Sequence, residues 1–321
     1  MPQLTVVVPA YNEAAVLEAF HQRLAAVLDT LPLDADVLYV DDGSRDGTWA
    51  VIATLAGRDP RCGGLKLSRN FGKEAALTAG LDHADADAAV VIDADLQDPP
   101  ELIPELVAQW QAGHDVVYAT RSARAGESGL KRLTAAAFYR TMERLSDTPV
   151  PRDTGDFRLL SRRALDALRQ LRERQRFMKG LFAWIGYRQT AVHYQRTPRQ
   201  AGRSKWNYWR LTQLAIEGIT SFSTAPLKLA TWTGLAAALL AFVYGLWVLG
   251  KAMLYGDPVH GYPSLMVVIL FLGGVQLLAL GVIGEYLGRS YAESKQRPLY
   301  FVEERRPAGT ASRPSHAAAL D

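Results

Sequence analysis

The stretch from Val90 to Glu101 reads VVIDADLQDPPE and contains the end of an apolar run, a cluster of acids and two prolines. The run Ala88–Ile92 is rich in β-branched residues and predicts a short buried strand. The two prolines end that strand, and Glu101 lies near the start of a predicted helix. Oxygen-bearing side chains therefore follow the carboxyl end of a strand, where open α/β sheets bind their ligands.

Three of these side chains, Asp93, Asp95 and Gln97, have the spacing Asp-x-Asp-x-Gln. Such oxygen ligands suit a hard divalent cation that keeps coordination positions open for phosphate oxygens. A solvated acidic turn is the alternative for an isolated Asp-x-Asp pair. The polar loops that follow the other predicted strands favour the metal site.

Strands alternate with helices through the first 121 residues. The predicted strands are Leu4–Val8, Val37–Val40, Gly64–Leu67, Ala88–Ile92 and Val116–Ala119. This alternation is typical of βαβ units, so we expect an α/β fold with a Rossmann-like, mainly parallel sheet. The loops at the carboxyl ends of these strands then lie along one edge of the sheet. The segment 153–160 is expected to return to the sheet.

A basic segment extends from Arg158 to Arg210, with fourteen Lys and Arg residues and only two acids. This imbalance indicates an anionic neighbour, such as a membrane surface, phosphate or nucleic acid. Two amphipathic helices are predicted within or beside it, Ala164–Arg174 and Asn207–Thr220. Basic residues interleaved with aromatic ones suit a membrane interface, and they also suit single-stranded nucleic acid.

Two long apolar runs follow, Leu229–Gly250 and Ser264–Leu287. About 20 residues span the hydrocarbon core of a bilayer, so both runs are predicted transmembrane helices. A buried helical hairpin of a soluble protein is the alternative. Basic residues flank the pair on its outer sides, which by the positive-inside rule places both termini in the cytoplasm.

The 321 residues divide, on this basis, into four predicted parts. These are a Rossmann-like domain (1–165), amphipathic juxtamembrane helices with a lid loop (166–225), a two-helix transmembrane domain (226–290) and a cytoplasmic tail (291–321). The tail is rich in Ala, Ser, Pro and Gly and is expected to be disordered after about residue 307. The single cysteine, Cys62, excludes an intramolecular disulfide and fits a reducing compartment.

Polar loops follow three of the predicted strands, at Pro9–Glu13, Asp41–Asp42 and Asp93–Gln97. Because these strand ends meet at one rim of the sheet, their side chains are expected to share a site. Hydrogen-bond acceptors there would hold a base and ribose, and a cation between the acids would neutralise a diphosphate. The sequence contains neither G-x-x-x-x-G-K-[ST] nor G-x-G-x-x-G, so it predicts a nucleotide-sugar site rather than ATP hydrolysis or dinucleotide chemistry.

Four motifs carry a resemblance to a known family. They are VPAYNE from Val8, VDDGSRDGT from Val40, RNFGK from Arg69 and DADLQDPPE from Asp93. The chain resembles family 2 glycosyltransferases with a GT-A fold. More narrowly, it resembles polyprenyl-phosphate glycosyltransferases, namely dolichyl-phosphate mannose synthases and bacterial undecaprenyl-phosphate glucosyltransferases of the GtrB type. The resemblance continues through GRSKW, SFSTAP and GEYLGR and covers nearly all of residues 3–302.

The resemblance implies roles for individual residues. The nucleotide sugar would be bound by Pro9, Tyr11, Glu13, Asp41, Asp42 and Asp93, with Arg203 and Lys205 in a lid that touches the phosphates. Mg²⁺ or Mn²⁺ would be bound by Asp93, Asp95 and Gln97, which makes Asp95 essential for catalysis. The acceptor phosphate would be bound by Arg121, Lys131 and Arg132, and Asp156 stands where bacterial relatives place a proposed catalytic aspartate.

Structural roles are the alternatives for several of these residues. Tyr11 and Pro9 would then only shape a turn, the basic pair at 131–132 would be a solvated helix face, and Asp156 would form a structural salt bridge. One departure from the family is visible at Ala135, because relatives often carry a hydroxyl residue just after Lys-Arg-Leu-Thr.

The expected activity is inverting transfer of a hexose to polyprenyl (undecaprenyl) phosphate at the cytoplasmic face of the inner (plasma) membrane. Glucose from UDP-glucose is the first choice, and GDP-mannose, UDP-N-acetylglucosamine and a UDP-4-amino-4-deoxy-arabinose derivative stay open as donors. A homo-oligomer is compatible with this reading. A processive polysaccharide synthase is disfavoured, because Q-x-x-R-W is absent from the sequence. A nucleic-acid-binding membrane protein is a distant alternative, since nothing in the strand-end acids requires nucleic acid.

Overall fold

The computed structural model describes residues 3–121, 154–174, 176–194, 225–255 and 261–308. The chain falls into two compact units. Of the described residues, 3–121, 154–174, 176–194 and 297–308 belong to the sheet unit, and 225–255 and 261–296 belong to the helical unit.

The sheet unit begins with strands and helices in alternation. In chain order they are β1 (Gln3–Ala10), α1 (Leu17–Leu28), β2 (Asp34–Asp41), α2 (Thr48–Arg58), β3 (Cys62–Leu67), α3 (Lys73–His83) and β4 (Ala88–Val91). A 3₁₀ turn then leads into α4 (Ile103–Gln111) and β5 (Val116–Arg121). The later elements are β6 (Thr154–Ser161), α5 (Arg162–Gln170), α6 (Met178–Trp184), β7 (Gln189–Tyr194) and, after the helical unit, β8 (Val302–Arg306).

The eight strands form one sheet in the order β7-β5-β6-β4-β1-β2-β3-β8. β1 pairs in parallel with β2 and β4, β2 with β3, and β5 with β7. β6 runs antiparallel between β4 and β5, and β8 runs antiparallel beside β3. The prediction of an α/β fold with a mainly parallel sheet is confirmed. The amino end of β6 lies at the same edge as the carboxyl ends of β1, β2 and β4, because β6 runs against them.

The central strands are buried on both faces. Val6, Val7 and Val8 of β1 are fully buried, as is every residue of β4. This explains their continuous apolar sequence, which is typical of parallel strands covered by helices. Helix α3 lies close to the sheet at Gly80, where a Cβ atom would overlap the side chain of Val7.

The boundaries of the sheet unit differ from the predicted first domain, 1–165. α5 runs across residue 165, and β7 extends the sheet to Tyr194 through parallel pairing with β5. A further strand, β8, lies in the tail 291–321 and was not predicted, since the sequence VEERR has no alternating apolar face. The predicted helix Asn207–Thr220 and the segment after residue 308 lie outside the described residues.

The helical unit contains two long helices, α7 (Ala225–Tyr255) and α8 (Tyr262–Ser294). Within them, Leu227–Trp247 and Val267–Ser294 are long and apolar enough to cross a membrane, by length and composition. Large apolar side chains on both helices are exposed, as lipid-facing residues would be; Leu240 is 68% exposed and Leu277 is 73% exposed.

Candidate active site

A cavity of about 370 Å³ lies at the carboxyl ends of β1, β2 and β4. Its lining residues come from the end of β1, the loops that follow these strands, the loop before α3 and the first turn of α3. They are Pro9, Ala10, Tyr11, Glu13, Asp42, Asn70, Gly72, Lys73, Ala76, Asp93, Ala94 and Asp95. Six of the residues predicted to bind donor or metal therefore line one cavity.

Lys73 joins two acids that come from different strands. Its Nζ donates to Oδ2 of Asp93, at 2.7 Å, and lies 2.5 Å from Oδ2 of Asp156. Asp93 follows β4 and Asp156 lies near the start of β6, so the antiparallel pairing of these strands brings the two carboxylates to the same end of the sheet. Gly72 precedes Lys73 with a φ of 99°, a backbone conformation that favours glycine, and it caps the start of α3.

The charges of this group shift the pKa values of all three side chains. Burial alone would lower the pKa of Lys73, but the carboxylates of Asp93 and Asp156 raise it, so that the amine stays protonated. Burial raises the pKa of Asp93, and Lys73 only partly offsets this. Burial also acts to raise the pKa of Asp156, but the charges of Lys73 and Lys179 lower it overall. Asp156 is therefore ionised at neutral pH.

Asp95 and Gln97 have different surroundings. Asp95 lines the cavity, and its Oδ1 accepts a hydrogen bond from the backbone N–H of Gln97 at 3.1 Å. Gln97 is 7% exposed and does not line the cavity. The intervening Leu96 has a φ of 59°, which turns the backbone sharply between them. The structure thus brings two of the three predicted metal ligands, Asp93 and Asp95, to the cavity.

These two carboxylates fit a divalent cation that binds together with a substrate. Within the described part of the chain, no group of three or more His, Cys, Asp or Glu side chains is arranged to hold an ion by itself. Mg²⁺ is usually held by one or two carboxylates together with substrate phosphates and water. The donor set at this cavity matches that arrangement and not a closed protein cage.

The side chains of Asp41 and Asp42 lie in different environments, because successive side chains along a strand point to opposite faces of the sheet. Asp42 lines the cavity, and its carboxylate accepts from the backbone N–H of Phe71 at 2.7 Å and of Gly72 at 3.0 Å. Asp41 is fully buried, accepts from the N–H of Ser44 at 3.0 Å and does not line the cavity. Asp41 thus stabilises the turn after β2, and its contact with the nucleotide stays a prediction.

The loop after β1 is hydrogen-bonded to the loop after β2 and to the first residue of α2. The backbone N–H of Asn12 donates to Ser44 Oγ, and that of Glu13 donates to Thr48 Oγ1, both at 2.9 Å. Asn12 itself has a φ of 56°, which is accessible to asparagine. This turn presents Tyr11, 41% exposed, at the edge of the cavity.

Asp156 is held by more than Lys73. Arg158, two residues along β6, is buried, and its guanidinium donates to the backbone carbonyls of Gly155, at 2.8 Å, and Asp156, at 3.3 Å. The same guanidinium lies 3.9 Å from the ring centroid of Phe182. Burial lowers the pKa of Arg158 to about 10, which still leaves it charged at neutral pH. The backbone around Asp156 is thus fixed from inside the protein.

Sequence reasoning did not single out Lys73, Asn70 or Glu74. The RNFGK motif was noted, but a lone lysine between acidic loops has no spacing pattern of its own. The available signal was charge balance, because an opposite charge close to a group of carboxylates favours their ionised form.

Five predicted site residues cannot be placed at the cavity. Arg121 is the last residue of β5 and of the described segment 3–121. Lys131, Arg132, Arg203 and Lys205 lie outside the described residues. Their roles toward the acceptor and the phosphates stay predictions.

Comparison with known proteins gives matches over nearly the whole chain. Residues 5–169 match glycosyl transferase family 2, and residues 225–290 match the GtrB C-terminal hairpin. An uncharacterized glycosyltransferase of Synechocystis sp. is 51% identical over 302 residues, which cover 94% of this chain and 95% of the relative. The bactoprenol glucosyl transferase of Shigella phage SfV is 47% identical over 301 residues, covering 94% of this chain and 98% of the relative.

Among solved structures, the glucosyl-3-phosphoglycerate synthase from Mycobacterium tuberculosis in complex with Mn²⁺, UDP-glucose and phosphoglyceric acid is similar with a TM-score of 0.45. It is 22% identical, and the match covers 68% of this chain and 78% of the synthase. A likeness of this size supports no conclusion about function. The family match and the curated relatives do: the chain belongs to glycosyl transferase family 2 and is a glycosyltransferase.

Proposed function

We propose that this protein transfers glucose from UDP-glucose to a polyprenyl phosphate, such as undecaprenyl phosphate, at the cytoplasmic face of the plasma membrane. One observation carries the proposal. Asp93, Asp95 and Lys73 line one cavity, and Asp156 is paired with Lys73, in a chain that is 47% identical to a bactoprenol glucosyl transferase over 301 residues. That relative's name supports both the sugar and the lipid carrier.

The cavity has the size and chemistry that a nucleotide-sugar donor needs. Small-molecule sites occupy roughly 300–1,000 Å³, and this cavity is about 370 Å³. Tyr11 offers an aromatic face at the edge of the cavity, and Asp42 offers carboxylate oxygens inside it. Pro9 and Glu13 line the same wall. We assign these four residues to the nucleoside part of the donor.

Asp93 and Asp95 would hold Mg²⁺ or Mn²⁺ together with the donor diphosphate, as their place at the cavity supports. A bound divalent cation supplies Lewis-acid stabilisation of the departing nucleoside diphosphate. Gln97 would orient Asp95 through its backbone N–H rather than bind the ion.

The proposed reaction is a single inverting displacement. A phosphate oxygen of the lipid attacks the anomeric carbon, the bond from that carbon to the diphosphate oxygen breaks, and UDP leaves. A phosphate monoester has a second pKa of about 6, so the acceptor is mainly dianionic at neutral pH and needs no strong general base. Asp156, kept ionised by Lys73 and Lys179, is then a positioning group at the donor or acceptor.

The acceptor side of the site rests on the family resemblance. Arg121, Lys131 and Arg132 would bind the lipid phosphate, and Arg203 and Lys205 would contact the phosphates from a lid. The two apolar helices support membrane attachment, and the basic residues that flank them favour a cytoplasmic location for both termini. A protein attached beside the lipid head groups meets its acceptor at a high effective concentration.

The proposal is tested by incubating membranes that contain the protein with radiolabelled UDP-glucose, GDP-mannose or UDP-N-acetylglucosamine and polyprenyl phosphate. We expect the label of UDP-glucose to enter the organic phase, and EDTA to abolish this transfer. Membranes that contain the Asp95→Ala variant serve as the control. Transfer from another donor alone would replace glucose in the proposal, and transfer that is undiminished in EDTA would overturn the metal-dependent mechanism.

A further inference from the structure

Within the tail (291–321), residues 297–308 belong to the sheet unit and follow the second long helix. We propose that this tail is part of the scaffold of the donor site, and that Phe301 is a positioning residue for the loop Ser68–Lys73. The proposal rests on the proposed function only in naming the ligand of that loop as a nucleotide sugar. Its first test uses no substrate.

The tail is hydrogen-bonded to the sheet up to the point where the loop begins. β8 pairs antiparallel with β3 from Gly64↔Arg306 to Leu67↔Val302. One residue further, the backbone N–H of Ser68 donates to the carbonyl of Phe301 at 2.9 Å. The first residue of the loop is therefore bonded directly to the tail.

Phe301 then contacts the loop through its side chain. Its ring lies 6.3 Å from the ring of Phe71, centroid to centroid, with an interplanar angle of 53°. The guanidinium of Arg69 lies 4.0 Å from the centroid of the Phe71 ring. Tilted aromatic pairs and cation–π contacts each stabilise a fixed geometry. Phe71 is thus contacted by Phe301 from the tail and by Arg69 from within the loop.

The same loop supplies one wall of the cavity. Asn70, Gly72 and Lys73 line it, while the N–H groups of Phe71 and Gly72 donate to Asp42. On this side the loop approaches Gly43, whose φ is 63° and where a Cβ atom would lie 2.6 Å from the nitrogen of Asn70. The loop is therefore enclosed between the β2–α2 turn and the tail, and a shift of Phe71 would move both hydrogen bonds to Asp42.

Side chains fix the tail against three other elements. Trp49 of α2 donates through Nε1 to Glu304 at 2.9 Å, and Lys66 of β3 lies 3.0 Å from Glu303. The hydroxyl of Tyr300 donates to Asp82 of α3 at 2.9 Å. Charged side chains and backbone pairing would be enough for a strand that only protects the edge of the sheet. The contact of the Phe301 ring with the loop Ser68–Lys73 goes beyond that role.

The first experiment compares amide hydrogen exchange of full-length wild type with the Phe301→Ala variant. Val302→Ala is the matched control, because it shortens the neighbouring side chain of the same tail. We expect the peptide that covers residues 68–73 to exchange faster in Phe301→Ala and at the wild-type rate in Val302→Ala. Unchanged exchange of this peptide in Phe301→Ala would overturn the proposal.

The second experiment measures the KM for UDP-glucose and for polyprenyl phosphate. Loss of one aromatic pair predicts a rise of roughly three- to tenfold in the donor KM of Phe301→Ala. The acceptor KM and the thermal unfolding midpoint of Phe301→Ala should match those of Val302→Ala. The Phe301→Tyr variant keeps an aromatic ring and should have the donor KM of the wild type. Equal increases in both KM values would indicate general damage and contradict the inference. A wild-type protein with no turnover would contradict the proposed function instead, and the exchange result would still decide the role of Phe301.

Discussion

At the scale of single residues, the site depends on one lysine held by two carboxylates. Lys73 lies 2.7 Å from Asp93 and 2.5 Å from Asp156, and neither acid neighbours it in the sequence. The Lys73 side chain is 45% exposed, and its charge compensates the negative charge that Asp93 and Asp156 concentrate at this edge of the sheet. Asp156 was expected only from the family resemblance. The sequence pattern itself predicted Asp93, because Asp-x-Asp after a buried strand is recognisable. No sequence pattern predicted Lys73, because the lysine contacts these two acids only in the folded chain.

The roles of Asp95 and Asp156 differ, and two variants separate them. Asp95→Ala removes a proposed ligand of the cation and is expected to lower kcat by about 10³-fold or more. Asp156→Asn removes only a positioning charge, and its kcat should fall by less than about 100-fold, the lower limit for loss of a general base. Single-turnover assays with UDP-glucose measure both. An equal and total loss in the two variants would contradict this division of roles.

Glu74 follows Lys73 and makes stability depend on pH. Burial, and then the charge of Asp156, raise the pKa of Glu74 to about 7, against the opposing charges of Lys73 and Lys179. Its Oε2 is buried and has no hydrogen-bond partner among the described residues. An ordinary glutamate has a pKa of about 4.3, so between these values the folded state binds more protons than the unfolded state. Its contribution to stability therefore falls as the pH rises through this window.

The Glu74→Gln variant should lose this dependence. We expect its thermal unfolding midpoint, relative to wild type, to be higher at about pH 7.5 than at about pH 5, since only the wild type carries the buried charge at the higher pH. Scanning calorimetry in detergent at both pH values measures this, with the exposed Glu105→Gln as control. Parallel curves for wild type and Glu74→Gln would contradict the prediction.

At the scale of secondary-structure elements, the carboxyl ends of the strands were predictable and the sheet edges were not. β1, β2 and β4 are apolar runs that end in polar turns, and all three appear where expected. β8 is paired with β3 over a separation of more than two hundred residues, and its charged sequence fits an exposed edge rather than a core strand. Such a partner is fixed by tertiary contacts, which leave no periodic pattern in the sequence.

Helix α3 carries Lys73 at its first turn and is positioned by a close approach at Gly80. A Cβ atom there would overlap Cγ1 of Val7 and lie 3.0 Å from Cγ2 of Val40. Gly80→Ala should therefore destabilise the protein by about 1–3 kcal/mol and lower activity by moving Lys73. Gly57→Ala, in α2 with no atom within 4 Å of the added methyl group, should be neutral or stabilising by up to about 1 kcal/mol. Denaturant unfolding of both variants compares them, and equal stabilities would contradict the packing argument.

At the scale of the whole molecule, one chain combines a proposed donor site with two helices that are long and apolar enough to cross a membrane. The GtrB C-terminal hairpin occupies residues 225–290, and the chain then returns to the sheet unit through β8. The acidic cavity binds a charged, water-soluble donor in our proposal, whereas the acceptor is a lipid. Our proposal therefore places the donor site on the cytoplasmic side and the two apolar helices in the bilayer. The topology of the chain is the property that tests this placement.

The topology prediction can be tested with cysteine labelling, because the single native cysteine, Cys62, is buried and 1% exposed. By the positive-inside rule, the loop between the apolar helices faces outward and the tail faces the cytoplasm. A membrane-impermeant thiol reagent should therefore label Asp257→Cys in right-side-out spheroplasts, and Ser312→Cys only in inside-out vesicles. Wild type, labelled in neither preparation, is the control that keeps Cys62 out of the signal. Labelling of Ser312→Cys in intact spheroplasts would place the tail outside, away from any cytoplasmic UDP-glucose, and would contradict the proposed site of glucosyl transfer.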